Sequence, residues 1–284
     1  EQSGEPSDGG QRQDGASQGQ DGEGRMHITY EEVPGRLGDG TGVSLRRPTY
    51  TITDLNYGKL HPKTMLSPRV APQMIGMGLL EAIPEDQIRA NADPDDKDGD
   101  GISGRANAVW SLEDDRVTLG RFGWKAGAPS VAEQSAGAFA GDMGLSTPLV
   151  ANNAGDCTPV QTHCINAPHG ASQGDGNVEI GQKLFDHLVF YAQNLAVPPR
   201  RNLDDPSVAE GKALFHQLGC QGCHTPTFTT GKVEGQPHLS GQKIWPYTDL
   251  LLHDMGEGLA DHRPEGVASG FEWRTAPLWG IGLT

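Results

Sequence analysis

Apolar positions in this chain come in short bursts separated by Gly and Pro. Residues 1–24 hold almost no apolar side chain and cannot bury a core, so they read as a loop or disordered segment. His27-Ile28-Thr29-Tyr30 and Tyr50-Thr51-Ile52 alternate in the manner of strands. Residues 70–83 carry Met74, Met77, Leu80 and Ile83 at helical spacing and predict a buried helix, the methionines acting as core filler. Pro84 opens a second short helix over 85–92. Ser130 and Glu133 form a capping box that starts a helix through Phe139. Residues 178–195 place Ile180, Leu184, Leu188, Tyr191 and Leu195 on one amphipathic face, ended by Pro198 and Pro199. A last helix, 207–218, is capped by Ser207 and Glu210 and carries Ala213, Leu214, Phe215 and Leu218. These elements predict a mainly α fold with long loops and a few short strands. The expected division is a loop segment at 1–25, a region at 26–200, a linker near 198–206 and a C-terminal domain at 201–284.

Composition narrows the class. The 284 residues are 35% hydrophobic with 40 Gly and 20 Pro, which implies a loop-rich protein. A formal charge of −15 argues against nucleic acid and anionic membrane surfaces, and suits a basic protein partner. No run of 18 apolar residues exists to span a membrane.

The candidate chemistry lies in Cys220-Gln221-Gly222-Cys223-His224. Two thiols at this spacing can add across the two vinyl groups of haem, and the adjacent histidine can reach the iron. A zinc site would need a second comparable pair, yet Cys157 and Cys164 are spaced differently and lie far upstream. A thioredoxin-like pair would need a preceding strand, whereas 207–218 reads as a helix. A helix carrying Phe215 just before the first thiol is the usual opening of a small cytochrome c, so the domains are expected to be cytochrome c-like. One haem c is therefore expected, with His224 as proximal ligand. Covalent haem requires export. A disulfide between Cys157 and Cys164 is the preferred reading, with two free thiols the alternative; both features point to the bacterial periplasm.

A second motif is acidic. Asp96, Asp98 and Asp100, followed by Gly101 and the Ile102 carbonyl, match the first half of a calcium loop. Position 12, a bidentate Glu in an EF-hand, is Asn107 here, so Asp93 or Asp95 would have to supply further oxygens. The alternative is a solvated acidic turn.

Several stretches together resemble the bacterial di-haem oxidoreductases, loosely called thiol oxidoreductases. These are relatives of the di-haem cytochrome c peroxidases and of the di-haem enzyme that matures a tryptophylquinone cofactor. The stretches are Ser44-Leu-Arg-Arg-Pro, Leu66-Ser-Pro-Arg-Val-Ala-Pro, Gly78-Leu-Leu-Glu-Ala-Ile-Pro, Asp98-Gly-Asp-Gly-Ile-Ser-Gly-Arg, Gly120-Arg-Phe-Gly-Trp-Lys-Ala, Asp249-Leu-Leu-Leu-His-Asp-Met-Gly and Glu272-Trp-Arg-Thr-Ala-Pro-Leu-Trp-Gly. The family carries two haem motifs and this sequence one; the other lies nearer the family's N-terminus, so the chain is expected to be a piece of a longer protein. The resemblance implies electron transfer from a small redox donor protein to hydrogen peroxide. It implies Asp142 as general acid/base, Gln134 as its companion in proton delivery and Trp124 as an electron relay, with plain core the alternative for Trp124. It further implies Arg274 as a haem-propionate contact, against a surface salt bridge. Met255 and His253 are candidate distal ligands, against core packing for Met255 and a hydrogen-bonded turn for His253. A non-enzymatic electron carrier, and a binding protein with structural haem and calcium, remain the alternatives.

Overall fold

The computed structural model describes residues 22–282, and the expectation for the first 21 residues lies outside it. The chain divides into two compact units, Glu1–Leu66 with Ala154–His169, and Ser67–Asn153 with Gly170–Thr284.

The first unit is built on a hairpin of β1 (Arg25–Arg36) and β2 (Gly42–Thr53), paired in register from Arg25↔Thr53 to Arg36↔Gly42. The two predicted β pieces are thus parts of long strands. Pro34 and Pro48 fall inside them, tolerated because a two-stranded ribbon leaves an outer edge on each strand. One face pairs Met26, Ile28 and Tyr30 with Ile52, Tyr50 and Pro48; the other pairs His27, Thr29 and Glu31 with Thr51, Thr49 and Arg47. Near the base, Gln161 Nε2 donates to Glu23 Oε1 at 2.9 Å.

The second unit contains α1 (Met77–Glu81), α2 (Glu85–Arg89), β3 (Gly104–Arg105), β4 (Ala108–Ser111), β5 (Arg116–Leu119) and α3 (Val131–Ala138). After α4 (Thr162–Ile165) of the first unit come α5 (Gln182–Gln193), α6 (Pro206–Gln217), β6 (Phe228–Thr229), β7 (Lys243–Ile244), β8 (Leu252–Asp254) and β9 (Glu272–Arg274). Strands β3, β8 and β9 form a three-stranded antiparallel sheet, while β4–β5 and β6–β7 are separate hairpins.

The expectation of a mainly α fold is overturned: helix makes up 24% and strand 19%, in six helices and several small sheets. The predicted helix 70–83 shrinks to α1. Gly76 takes a left-handed conformation (φ 66°) at its N-cap, Pro72 disfavours helix before it, and Met74 is exposed. A Cβ at Gly76 would lie 2.5 Å from the Trp279 ring, so both space and φ demand glycine. The α6 cap also moves: Asp205, two residues before Ser207, accepts from the Ser207 N–H at 2.9 Å, and Pro206 takes the first helical turn. At α3 the capping box is half formed. Ser130 Oγ accepts from Glu133 N at 3.0 Å, but the Glu133 carboxylate turns to Ser111 Oγ at 2.7 Å.

The core gathers Met77, Leu80, Ile83, Ile88, Leu119, Phe122, Val131, Phe228, Leu250 and Leu251. Each such large apolar side chain contributes about 1.5–3 kcal/mol on full burial. Beside it lies a buried ionic cluster. Lys125, 0% exposed, donates to Asp261 Oδ1 (2.7 Å) and to the Arg263 and Ser269 carbonyls (2.8 Å each), with its Nζ 4.7 Å from the Trp273 ring centroid. Arg69 adds ion pairs to Asp261 (2.9 Å) and Glu265 (2.8 Å). Burial alone would raise the Asp261 pKa, but bonds from Lys125, Ser67, the Arg263 N–H and Arg69 outweigh it and hold it at about 2.

A depressed carboxylate pKa stabilises the fold above the ordinary Asp value, and that contribution is lost as pH falls from about 4 toward 2. Lys125→Met is expected to cost about 3 kcal/mol at neutral pH in urea unfolding, the low end for breaking a buried pair, because Arg69 still holds Asp261. The variant should also lose stability less steeply than wild type between pH 4 and 2, a difference readable in paired melts.

Candidate functional site

Helix α6 delivers the Cys-x-x-Cys-His segment. It ends at Leu218, Gly219 turns the chain with φ 75°, and residues 220–222 form a 3-10 turn. The turn is closed by Gly222 N–H to Gly219 O (3.0 Å) and His224 N–H to Cys220 O (2.9 Å). Cys220 and Cys223 are unpaired thiols. His224 Nδ1 lies 2.8 Å from the Tyr247 carbonyl, which can only accept, so Nδ1 carries the hydrogen and Nε2 keeps its lone pair for a metal. Phe215 sits 5.5 Å from the Tyr247 ring, edge on, and 6.4 Å from the His224 ring. The apolar side chains predicted to bury α6 do not bury: Leu214 is 46% and Leu218 75% exposed. That uncovered face beside free thiols and an oriented imidazole fits a flat apolar group such as haem.

The acidic loop packs against this turn. A Cβ at Gly222 would lie 2.5 Å from Ile102 Cδ1 and 3.9 Å from Asp100 Oδ2. The carboxylates of Asp96, Asp98 and Asp100 converge, with oxygens within 4.8 Å of one another. Their other bonds shape the loop: Asp96 Oδ1 accepts from Gly101 N–H, and Asp100 Oδ1 from Ile102 N–H. Asp95 turns aside to Lys97 (3.2 Å), whereas Asp93 Oδ1 is buried without a hydrogen-bond partner.

A cleft of about 700 Å³ opens elsewhere in the same unit. Its walls include Met74, Trp124, Gln134, Asp142, Tyr191, Arg274 and Trp279. Sequence reasoning named Trp124, Gln134, Asp142 and Arg274 as site residues, and one cleft brings all four together. Local structure explains how. Helix α3 runs into a π-turn, Phe139–Met143, closed by Gly144 at φ 67°; Asp142 in this wider turn and Gln134 on α3 both line the cleft. Trp124 is fixed by its indole N–H on Val70 O at 2.6 Å. Helix α5 is two-faced, with Phe185 in the core and Leu188 and Tyr191 in the cleft lining, which the buried Ala192 and, just past the helix end, Leu195 also join. Of the predicted stripe, Leu188, Tyr191 and Leu195 line the cleft, Leu184 is exposed and Ile180 packs against the cluster around Phe185.

Arg274 is the electrostatic feature of the cleft. It is 7% exposed; Nε donates to Gly123 O (2.8 Å) and Nη1 to Thr275 O (3.0 Å). No carboxylate among the described residues ion-pairs with it. Burial lowers its pKa to about 10, opposed only by the charge of Asp249.

Met255, half exposed at 49%, is not the core side chain expected. His253 is buried in β8, not in a turn. Its Nε2 lies 2.7 Å from Asp249 Oδ2 and its Nδ1 3.7 Å from Cys223 Sγ. Burial would lower its pKa, but Asp249 and Cys223 raise it to about 10. Asp249 escaped sequence reasoning; its signal was a lone acid opening the apolar run Leu250-Leu251-Leu252. In the other unit, Cys157 and Cys164 lie at disulfide distance with Cα atoms 6.2 Å apart.

An oriented imidazole beside two free thiols, with an apolar cleft carrying a buried cation, fits a haem-binding oxidoreductase. Residues 7–284 match the family model described as "di-haem oxidoreductase, putative peroxidase", and the chain belongs to that family. No curated protein and no solved structure matches it. No helix among the described residues is long and apolar enough to cross a membrane.

Arg274→Met should leave stability within about 1 kcal/mol of wild type in denaturant unfolding, since exchanging a poorly paired buried charge for an apolar side chain is often neutral. A loss above about 3 kcal/mol would show that the two carbonyl bonds, rather than a bound anion, explain its presence.

Proposed function

We propose that this protein is a periplasmic c-type di-haem oxidoreductase that passes electrons from a small redox donor protein to hydrogen peroxide. Cys220 and Cys223 attach one haem and His224 is its proximal ligand. The carrying observation is the His224 Nδ1 to Tyr247 carbonyl bond at 2.8 Å beside two unpaired thiols, which sets the tautomer a metal needs. The disulfide pair supports an oxidising compartment. A charge of −15 favours a donor with a basic face.

The cleft is the proposed peroxide site. Its volume, apolar walls and Arg274 fit the family's second haem, with the guanidinium against a propionate. The lining holds no cysteine, so an attachment pair for a group seated there lies outside it. When bound, haem supplies one-electron transfer and cleavage of the O–O bond. Asp142, at the solvent edge of the cleft, exchanges the peroxide proton, and Gln134 orients the oxygens by hydrogen bonding. Trp124, pinned to Val70, lies in the wall as an electron relay. This cleft favours the enzyme reading over a simple carrier, which has no use for such a volume. The acidic loop is a structural calcium site that stiffens the attachment turn through Ile102 and Gly222. Its converging carboxylates and the unpartnered Asp93 oxygen fit a hard cation.

Protein matured in an exporting host should be red, with a mass raised by thioether-linked haem, and Asp142→Asn should lower kcat for peroxide about 10²–10⁴-fold at unchanged haem content. A colourless product, or a variant with full turnover, would sink the reading. Calcium added to chelator-treated protein should raise its Tm, and Asp98→Asn should abolish that rise.

A further inference from the structure

The geometry points to a positioning role for the Asp249–His253 pair: it aims Cys223 at an incoming vinyl group and afterwards donates an N–H to the thioether sulfur. The inference rests on the haem reading above. His253 is 6% and Asp249 1% exposed, so neither pairing is a surface accident. Asp249 is held at two further points, one on its carboxylate and one on its backbone. Its Oδ1 accepts from Leu251 N–H at 2.9 Å, and its own backbone N–H donates to Cys223 O at 3.1 Å. Oδ2, 2.7 Å from His253 Nε2, accepts the hydrogen that nitrogen carries. Nδ1 is thereby aimed at Cys223 Sγ, 3.7 Å away. Gly104, across the strand pair from His253, makes room for this ring: a Cβ there would lie 2.8 Å from His253 Cε1.

Attachment changes what sulfur can do. As a thiol, Cys223 can donate to Nδ1 of a neutral ring or accept from it when the ring is charged. In thioether formation an S–C bond forms while the S–H bond and the vinyl π bond break; the hydrogen ends on the outer vinyl carbon, and no oxidant is consumed. The sulfur then has no hydrogen, so Nδ1 must donate to it or stand unsatisfied in the interior. Asp249 compensates the ring that donates on both sides. Cys220 Sγ has no hydrogen-bond partner among the described residues, so the two attachment sites are not equivalent.

The test uses full-length haem-loaded protein from an exporting host, in wild type, His253→Leu, His253→Gln and Gly104→Ala. Peptide mass mapping, the pyridine haemochrome spectrum and the midpoint potential are read in each. Wild type should carry both thioethers. His253→Leu should show at least a fivefold larger share of single-thioether protein, with Cys223 the unreacted site, a red-shifted haemochrome and a lowered potential. His253→Gln, which keeps an amide donor, should recover part of both, and Gly104→Ala should shift both readouts in the same direction by less. Complete double attachment at wild-type potential in His253→Leu would overturn the proposal, as would equal loss at Cys220 and Cys223. If His253→Leu does not accumulate, Gly104→Ala decides by the same criteria. Haem-free wild type would instead overturn the haem reading itself.

Discussion

Residues 248–254 form the strap on which the second unit depends. Leu250, Leu251 and Leu252 are all 0% exposed, and the backbone around them is bonded on every side. Thr248 and Asp249 donate to the carbonyls of Thr225 and Cys223, which ties the strap to the haem-motif turn. Thr275 N–H donates to Leu251 O, and Thr248 Oγ1 donates to Thr275 O at 2.5 Å, which ties it to the segment lining the cleft. Strand β8 then pairs with β3 on one side and β9 on the other. A buried strand must satisfy its polar groups within the protein, and here doing so fixes two chemical sites against one ladder.

This arrangement explains which parts of the protein were readable from sequence. The haem motif needs only neighbouring residues, so its spacing was visible directly. Helices α3, α5 and α6 were visible because each carries a periodic stripe or a capping residue. The mainly α expectation failed in part because β3, β8 and β9 are two or three residues long and β3 pairs with β8 across more than a hundred positions. No local pattern encodes such pairing, and Leu250-Leu251-Leu252 reads equally well as helix or strand. Residues 70–76 misled for a related reason. Their apolar side chains line a cleft rather than a helix face, so hydrophobicity was present without helical burial.

The same distinction runs through the candidate site. An apolar stripe normally means core, yet Leu188 and Tyr191 on α5, Leu195 just past it, Leu214 on α6 and its C-cap Leu218 leave apolar surface uncovered by protein. A chain that keeps such faces open, one beside free thiols and one beside a buried cation, is shaped around something other than its own side chains. The family resemblance supplied the identities of Gln134 and Asp142, but spacing alone could not put them on one wall. They are eight residues apart, the second in the π-turn after α3, and both line the same cleft.

Charge placement separates structural groups from chemical ones. Lys125 is as buried as any side chain here, but its ammonium meets a carboxylate, two carbonyls and an aromatic ring, so its cost is offset locally. Arg274 is nearly as buried and meets two carbonyls but no carboxylate within pairing distance. The nearby negative charge, on Asp249, is already bonded to His253 and to a backbone N–H. Two cationic side chains thus draw on one carboxylate. An interior arranged for stability alone would set a carboxylate within bonding distance of each, as it does for Lys125. The shortfall falls at the cleft wall, the position where the proposed haem propionate would complete the count.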